Sequence, residues 1–503
     1  MSLEILAIIS PLSIVIGAVI LMIMSSFEKI SIKALSVASM LVLSIALVFN
    51  LFIVNELFSI NLVPEYLNNI FVADTFSTLL SILMILGAMA TIILGQPYFE
   101  KNSFLVAEFF PLLLFALFGM IMLAMSSELI TIFVALEIAS ISIYILVGLN
   151  KRHQRGSEAL FKYLMLGSFS GAFFLFGAVL IYAFAGTTHL SELAEFIQNN
   201  QEGNLSLLVV GGTLIMINIL FKIAAFPFHS WSLDVYNGAP MPVTAFMAST
   251  FKVAILAVAL RIFIVDFSLV ADIWDEFLIA LAIITLVGGS LLTLSQTSLK
   301  RMLISSSIVH SGYLMIAIAS TGATHNEAAP AIIFYLISYF LTAVGAFGLL
   351  SYIAIDDNKR IYFEDFKGFS KEHPILSASM TVFMLSFAGF PSTIGFLGKF
   401  YIFMGAIEAG YAYLAVFGVL AAFVSVYYYF KVISMIYFYP SNLSKQPAKK
   451  NHGFGLSPFL IAVLAAAVLW GGIGNMLITF LPGATVFIDM AKLSIESLTL
   501  VRY

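Results

Sequence analysis

Apolar segments of about 20 residues recur along the whole chain, and this feature limits the folds open to it. Each segment is long enough to cross a hydrocarbon core of about 30 Å as an α-helix. Strands of a membrane β-barrel would be shorter and would alternate in polarity, a pattern that is absent from this sequence. The sequence therefore predicts an all-α polytopic membrane protein.

The composition agrees with this class and excludes several kinds of site. Of the 503 residues, 61% are hydrophobic and 10% are charged, whereas soluble domains contain about 25% charged residues. Cysteine is absent, which excludes disulfides, iron–sulfur clusters and thiolate metal sites in this chain. The net charge of −4 is small, and no basic run predicts a nucleic-acid partner. Any redox chemistry is therefore expected in a partner protein.

Fourteen membrane spans are predicted, and the basic residues of the loops give their direction. Lys and Arg concentrate in cytoplasmic loops, and here they fall in odd-numbered loops, except for Arg261 of loop 8. Both termini are therefore predicted on the outer side of the membrane. The spans cover about 5–24, 34–54, 75–95, 104–124, 128–149, 161–185, 205–226, 241–265, 274–297, 302–320, 328–355, 374–401, 411–439 and 456–481. The odd-numbered loops contain Lys29, Lys33, Lys101, Lys151, Arg152, Arg155, Lys300, Arg301, Lys359, Arg360, Lys367, Lys371, Lys445, Lys449 and Lys450.

Two prolines mark a repeat among the spans. Span 7 contains AAFP, which ends at Pro227, and span 12 contains AGFP, which ends at Pro391. Because an internal proline removes a backbone hydrogen bond and clashes with the preceding turn, both helices are expected to be broken. The two spans are five apart, so spans 4–8 and 9–13 are predicted to be inverted five-helix repeats. The predicted parts are spans 1–3 (1–103), the first repeat (104–265), the second repeat (266–439), and the last loop, span 14 and tail (440–503).

Glu137 and Lys252 are expected near the middle of spans 5 and 8. A charged side chain at the bilayer centre costs at least about 2.5 kcal/mol, so it usually faces a protein interior or a wet cavity. Each residue is either a structural partner or a proton carrier, and burial favours the second role because it makes the neutral form easier to reach. Glu128 lies at the membrane edge, where a solvated carboxylate needs no functional explanation.

The predicted depth of Lys222 and Lys399 in the membrane depends on the two helix breaks. In straight helices, Lys222 would lie toward the inner end of span 7 and Lys399 toward the outer end of span 12. Only breaks near the two prolines would centre these lysines, so their predicted roles as proton carriers rest on the breaks.

Four other residues leave two interpretations open. His310, about 12 Å into span 10, is either a core histidine or a proton carrier. His229 is expected to be a structural or entry residue. Lys162 either reaches the inner interface or pairs with a carboxylate inside the bundle. Lys431 either reaches the interface or serves as a proton exit, and the surrounding YYYFK is expected to anchor the helix at the interface.

No motif for a metal, a phosphate or a nucleotide occurs. The buried acids and bases favour proton translocation over catalysis on a substrate.

Five stretches of this sequence resemble the antiporter-like subunits of respiratory complex I over about residues 70–440. They are LEIASISIYIL with Glu137, EALFKYLMLGSFSGAFFLFG with Lys162, FKIAAFPFHSWSLDVYNGAPMPVTAF with Lys222, TSLKRMLISSSIVHSGYL with His310, and FAGFPSTIGFLGKFYIF with Lys399. Within that family, DVYNGAPMPV, the fourteen-span length and Lys399 resemble the N group, since the M group would carry glutamate at this position and the L group a long lateral helix.

The resemblance implies a non-redox subunit of a proton-translocating NADH:quinone oxidoreductase. Glu137 and Lys222 would form a pair, Lys252 the relay, His310 part of a central hydrophilic axis, and Lys399 the residue facing the other half. Lys162 also matches a family position. The resemblance further implies that quinone, flavin and iron–sulfur clusters lie in other subunits, with none in this chain. Implied partners are antiporter-like subunit M, small subunits such as K, and the lipid bilayer.

Three other functions remain possible from the sequence. A subunit of a multi-subunit cation/proton antiporter would share these motifs and exchange ions without electron transfer. A structural scaffold would use the buried charges only to hold helices together. A separate solute transporter is less favoured, because no polar cluster beyond the charged residues predicts a substrate pocket.

Overall fold

The fold is almost entirely helical, as the hydropathy pattern predicts. A computed structural model describes residues 3–27, 30–60, 65–66, 70–101, 107–150, 154–200, 205–266, 272–323, 328–354, 362–440, 455–477 and 483–500. Many basic residues of the predicted inner loops lie outside the described residues, namely Lys29, Lys151, Arg152, Lys359, Arg360, Lys445, Lys449 and Lys450.

Nineteen α-helices and one short hairpin make up the described part of the chain. The hairpin pairs β1 (Glu65–Tyr66) with β2 (Phe71–Val72). The helices are α1 (Leu3–Ser25), α2 (Ile32–Ile60), α3 (Thr75–Lys101), α4 (Phe109–Met125), α5 (Leu129–Val147), α6 (Gln154–Ala185), α7 (Leu190–Asn199), α8 (Ser206–Lys222), α9 (Ser230–Gly238), α10 (Met241–Phe246), α11 (Lys252–Leu260), α12 (Asp272–Leu294), α13 (Leu299–Ala323), α14 (Ala329–Ile353), α15 (Pro374–Ala388), α16 (Ile394–Glu408), α17 (Ala412–Phe438), α18 (Leu456–Leu477) and α19 (Ala484–Leu500).

Helices at the centre of the bundle differ in burial from those at its rim. Eleven helical segments of the described chain are long and apolar enough to cross a membrane. The segments Met241–Phe263 and Leu299–Thr321 are completely buried, whereas Ile32–Asn55 and Ala412–Phe438 expose most of their apolar residues. Because exposed apolar side chains are stable only against lipid or another protein, the rim is the lateral surface of a membrane protein.

Both proline-containing elements are broken, but the breaks begin before the prolines. Helix α8 ends at Lys222 and the chain becomes helical again at Ser230, while α15 ends at Ala388 and α16 begins at Ile394. Span 7 was predicted to end near residue 226, which is wrong because α9 continues the element to Gly238. Lys222 therefore lies at the midpoint of the broken element, which runs from Ser206 to Gly238.

The two breaks use the same backbone motif. Ala224 and Gly389 have left-handed φ angles of 58° and 82°. In each case the next residue donates its backbone N–H to the carbonyl five residues earlier, from Ala225 to Leu220 and from Phe390 to Leu385, both at 2.9 Å. This is the Schellman arrangement, which ends a helix by satisfying its last carbonyl groups.

Four features differ from the sequence predictions. Span 8 is an irregular helix, since π-helical turns at Met247–Phe251 and Arg261–Asp266 flank α11. Arg261, assigned above to a loop, lies in the second turn with only 3% of its side chain exposed. Lys300, also assigned to a loop, is buried in the first turn of α13. Helices α7 and α19 were not predicted.

Candidate functional site

Helix α5 presents Glu137 and the groups that bind Lys222 on the same face. Ser140 and Tyr144 follow Glu137 by three and seven residues, the spacing of one side of an α-helix. The Lys222 ammonium donates to Ser140 Oγ at 2.7 Å and to the Tyr144 hydroxyl at 3.3 Å. Among the described residues, Glu137 Oε1 is buried without a hydrogen-bond partner. The acid and the base are therefore neighbours, with hydroxyl groups between them.

Aromatic rings form a wall around the Lys222 ammonium. Nζ lies 5.5 Å from the centre of the Tyr144 ring and 6.0 Å from that of Tyr163. The Tyr163 ring stacks on Trp231 at 4.6 Å, and the Trp231 indole N–H donates to the Phe221 carbonyl at 3.0 Å. Trp231 follows the break in sequence, so α9 supplies part of this wall, and its indole also binds the last turn of α8. Rings next to an ammonium stabilise its charge where water is excluded.

Lys252 lies at the junction between the first π-helical turn and α11. Its ammonium donates to the Ser307 carbonyl at 2.6 Å and to Ser311 Oγ at 3.0 Å, both on α13. Ser311 Oγ in turn donates to the Ile223 carbonyl at 2.7 Å, directly after Lys222. A continuous hydrogen-bonded path therefore joins Lys252 to the break after α8.

His310 occupies the position on α13 immediately before Ser311. Its Nδ1 lies 2.5 Å from the Tyr335 hydroxyl and its Nε2 lies 3.2 Å from the Tyr429 hydroxyl. An imidazole with a hydroxyl at each nitrogen can accept a proton on one side and give it up on the other. Its ring centre is also 5.0 Å from that of Tyr339, and the Lys252 ammonium is 5.3 Å from the same ring.

Lys399 extends backward from α16 to the end of α15. Its ammonium donates to the Phe387 carbonyl at 2.7 Å and to the Ala388 carbonyl at 3.2 Å. It also lies 4.9 Å from the centre of the Tyr313 ring, which in turn contacts His310. The carbonyl end of a helix carries partial negative charge and favours a cation. The break thus brings Lys399 to the middle of its element, beside the central aromatic groups.

Three of the residues considered from the sequence lie away from this centre. Lys162 is 38% exposed and pairs with Glu158 at 2.7 Å and Asp234 at 2.8 Å. Lys431 lies 4.3 Å from the ring of Phe363, in the segment after α14, and its contacts among the described residues do not include the central lysines. His229 stacks on Phe226 beside the first break.

Several residues of the site were missed from the sequence. The aromatic run before Lys431 does not act as a single interface anchor, because helical periodicity leaves Tyr427 66% exposed and buries Tyr429 completely. Arg261 forms a buried ion pair with Asp74 at 3.0 Å. The buried Lys300 ammonium donates to the Ala239 carbonyl at 2.9 Å, at the end of α9. Asp74, Arg261 and Lys300 each lie at or near the boundary of a predicted span. A charged residue at such a boundary is the sequence signal by which they could have been found.

The arrangement suits proton transfer more than substrate chemistry. Lys222, Lys252, His310 and Lys399 are buried and are connected by hydroxyl groups, backbone carbonyls and aromatic rings. Glu137 is partly buried on the face of α5 that also binds Lys222. Among the described residues, no group of three His, Cys, Asp or Glu is arranged to hold a metal ion. Ionisable residues that are this deeply buried in a membrane protein typically line proton or ion pathways.

Residues 126–425 match the family model described as NADH:quinone oxidoreductase/Mrp antiporter, TM. This range contains the five residues of the path and leaves out Lys431. Curated relatives include NADH-quinone oxidoreductase subunit N of Trichlorobacter lovleyi, 40% identical over 73% of this chain and 75% of the relative. The protein of the same name from Rhodospirillum rubrum is 35% identical over 86% of this chain and 85% of the relative.

Solved structures share this fold. A chain of respiratory complex I from Thermus thermophilus is 29% identical, with a TM-score of 0.77 over 93% of this chain and 98% of that chain. A chain of the Mrp complex from Dietzia sp. shares the fold at 18% identity, with a TM-score of 0.85 over 100% of this chain and 99% of that chain. The protein therefore belongs to the NADH:quinone oxidoreductase/Mrp antiporter membrane-subunit family, and the two curated relatives named above are subunit N proteins.

Proposed function

We propose that this protein translocates protons as a membrane-arm subunit of a complex I-type quinone oxidoreductase. The observation that carries the proposal is the row of three buried lysines and one buried histidine at the bundle centre, with the partly buried Glu137 beside Lys222. The identity to subunit N proteins over most of the chain supports this assignment over that of a cation/proton antiporter subunit. The similarity to the Mrp complex concerns the fold alone.

Protons enter this scheme at the Glu137 and Lys222 pair. Charge movement in a neighbouring subunit changes the interaction between the two side chains, and Lys222 then binds or releases a proton. Lys252 receives the proton through the hydroxyl-lined region between the helices. His310 passes it between Tyr335 and Tyr429, and Lys399 delivers it to the outer side. Lys162 and Lys431 are peripheral in this scheme, the first as a surface ion pair and the second near an interface.

The chain itself has no redox role in this proposal. Quinone, flavin and iron–sulfur clusters belong to other subunits, and subunit M and small subunits such as K are the expected membrane partners. The chain crosses a bacterial inner membrane fourteen times, with α8–α9 and α15–α16 each serving as one broken span and both termini outside. Spans 4–8 and 9–13 form the inverted repeats, with the boundaries at residues 103, 265 and 439. The Schellman motif common to both breaks supports this repeat.

The test uses the native complex in inverted membrane vesicles, with electron flow to quinone and proton uptake recorded together. Lys222→Met, Lys252→Met and Glu137→Gln are each expected to assemble and to lower proton uptake about tenfold or more, because each removes one station of the path. Lys492→Met is the matched control, since Lys492 is exposed on α19 and should leave both rates unchanged.

Assembled complexes that carry Lys222→Met and Lys252→Met and pump at the normal rate would refute the relay and favour a scaffold role. Sodium or potassium exchange by vesicles that contain no quinone-reducing subunits would instead favour the antiporter function.

A further inference from the structure

Ser311 is the side chain that connects the first break to Lys252. Its Oγ donates to the Ile223 carbonyl at 2.7 Å and accepts from the Lys252 ammonium at 3.0 Å. The same hydroxyl has a second acceptor in the Ser307 carbonyl of its own helix, at 3.2 Å. Ser311 is completely buried, so bulk water does not compete for these bonds.

The Ile223 carbonyl needs such a donor because the residue four positions later is Pro227, which has no backbone N–H. Ala224 adopts a left-handed φ of 58°, and the chain turns away from the axis of α8. The last carbonyl groups of a helix have no partner within that helix. An unsatisfied buried carbonyl is unfavourable, so the Ser311 hydroxyl helps to fix the backbone immediately after Lys222.

The charge of Lys252 decides how strongly Ser311 holds that carbonyl. A hydroxyl that accepts a hydrogen bond from a cation becomes a stronger donor, because hydrogen bonds in series polarise one another. A protonated Lys252 therefore strengthens the bond from Ser311 to Ile223. A neutral Lys252 weakens it, and the hydroxyl can then rotate to the Ser307 carbonyl.

We infer that Ser311 is a positioning residue that couples the protonation of Lys252 to the backbone break beside Lys222. This inference rests on the proposed function, because it assigns Ser311 a part in the same proton path. Ser311 acts through the backbone and the two lysines, so that the first break is held firmly when Lys252 carries a proton and is released when it does not.

The experiment replaces Ser311 in the native complex and measures proton uptake per assembled complex. We expect Ser311→Ala to assemble and to lower the rate about fivefold, within the range of measured coupling effects. Ser311→Thr keeps the hydroxyl and should restore most of the rate. Ser305→Ala is the matched control, since Ser305 is buried on the same helix and its hydroxyl donates to the Arg301 and Met302 carbonyls of that helix.

A second measurement reports on the break itself. Amide hydrogen exchange in residues 223–229 should rise in Ser311→Ala and in Lys252→Met. The double variant should show no further increase, because both changes remove the same chain of bonds. Where Ser311→Ala does not accumulate, Ser311→Cys retains a weaker donor of similar size and should give an intermediate rate and an intermediate exchange.

The outcomes separate this inference from the proposed function. A Ser311→Ala complex that pumps and exchanges normally, while Lys252→Met stops pumping, would overturn the inference and leave the function intact. Loss of assembled complex with a normal rate per complex would make Ser311 purely structural and would also overturn the inference. Normal pumping by Lys252→Met would overturn the function itself.

Discussion

The two broken elements have the same backbone motif, but different donors satisfy their carbonyl groups. After α8, the carbonyls of Phe221 and Ile223 accept from neutral side chains, the Trp231 indole and the Ser311 hydroxyl. After α15, the carbonyls accept from the charged ammonium of Lys399. Lys222, the lysine of the first element, is directed away from its own break toward the hydroxyl groups of α5.

This difference separates two uses of a lysine in a broken helix. Lys399 both carries a charge and holds the helix end, so its protonation and the local structure are directly linked. Lys222 carries a charge beside Glu137 while other residues hold the break, so its charge can change with less effect on the backbone. Among the described residues, Ser311 makes the hydrogen-bonded link from the carbonyl of the first break to a second lysine, Lys252.

The largest expected contrast is between Lys399→Met and Lys222→Met. Both changes remove a buried ammonium, but only Lys399→Met leaves two helix-end carbonyls without their donor. Hydrogen bonds to charged groups contribute about 1.5–3 kcal/mol each, so Lys399→Met should be less stable than Lys222→Met by roughly 2–3 kcal/mol. Thermal unfolding of the two purified complexes measures this difference. Equal midpoints would remove the distinction between the two breaks.

A smaller difference in stability is expected between substitutions of Gly389 and Ala224, the residues whose φ angles are left-handed. Gly389→Ala places a Cβ at a φ of 82°, 3.0 Å from Lys399 Cδ and 3.4 Å from its Nζ. A residue with a Cβ in this left-handed conformation lowers the stability by about 1–2 kcal/mol. Displacement of Lys399 by the new Cβ should also lower proton uptake. Ala224→Gly is the matched change in the other half and should be neutral or slightly stabilising, since it relieves a left-handed alanine. Unfolding midpoints and uptake rates of the two variants test this, and a harmless Gly389→Ala would contradict it.

The smallest effect is expected for Trp231→Phe. Phenylalanine keeps a ring to stack on Tyr163 but loses the N–H that binds the Phe221 carbonyl at 3.0 Å. The loss of one neutral hydrogen bond should destabilise the complex by about 1 kcal/mol, with proton uptake reduced less than in Lys222→Met. A comparison of Trp231→Phe with wild type in the same unfolding assay checks the value. A loss as large as that of Lys399→Met would indicate that the first break has no other support.

Much of the fold follows from local properties of the sequence. Apolar length predicts membrane helices because an unsatisfied backbone group is costly in lipid, and apart from α7, α9 and α19 the helices overlap the predicted spans. Prolines at 227 and 391 mark the two breaks because proline weakens a helix, although α1 and α3 continue through Pro11 and Pro97. Lys222, Lys252 and Lys399 were predicted to lie inside the bundle because each is a charged residue within an apolar segment. The structure buries all three side chains.

Other features depend on contacts between residues far apart in sequence. Ser311 and Ile223 are 88 residues apart, and His310 and Tyr429 are 119 apart. Nothing in the local sequence distinguishes Ser311 from the other serines of α13. The buried Tyr429 was obscured within an aromatic run, since only the direction of the helix against its neighbours separates it from the exposed Tyr427.

The sequence by itself determined the membrane class, the approximate positions of the helices, the presence of two breaks and the lysines that accompany them. Each of these depends on apolarity, on proline stereochemistry or on a charge inside an apolar segment, and all three are properties of a short stretch of chain. Only the tertiary structure decided which group satisfies each broken helix end, because helix packing determines which donors reach those carbonyls. For that reason the same AxFP motif is held by an indole and a hydroxyl in one half and by an ammonium in the other.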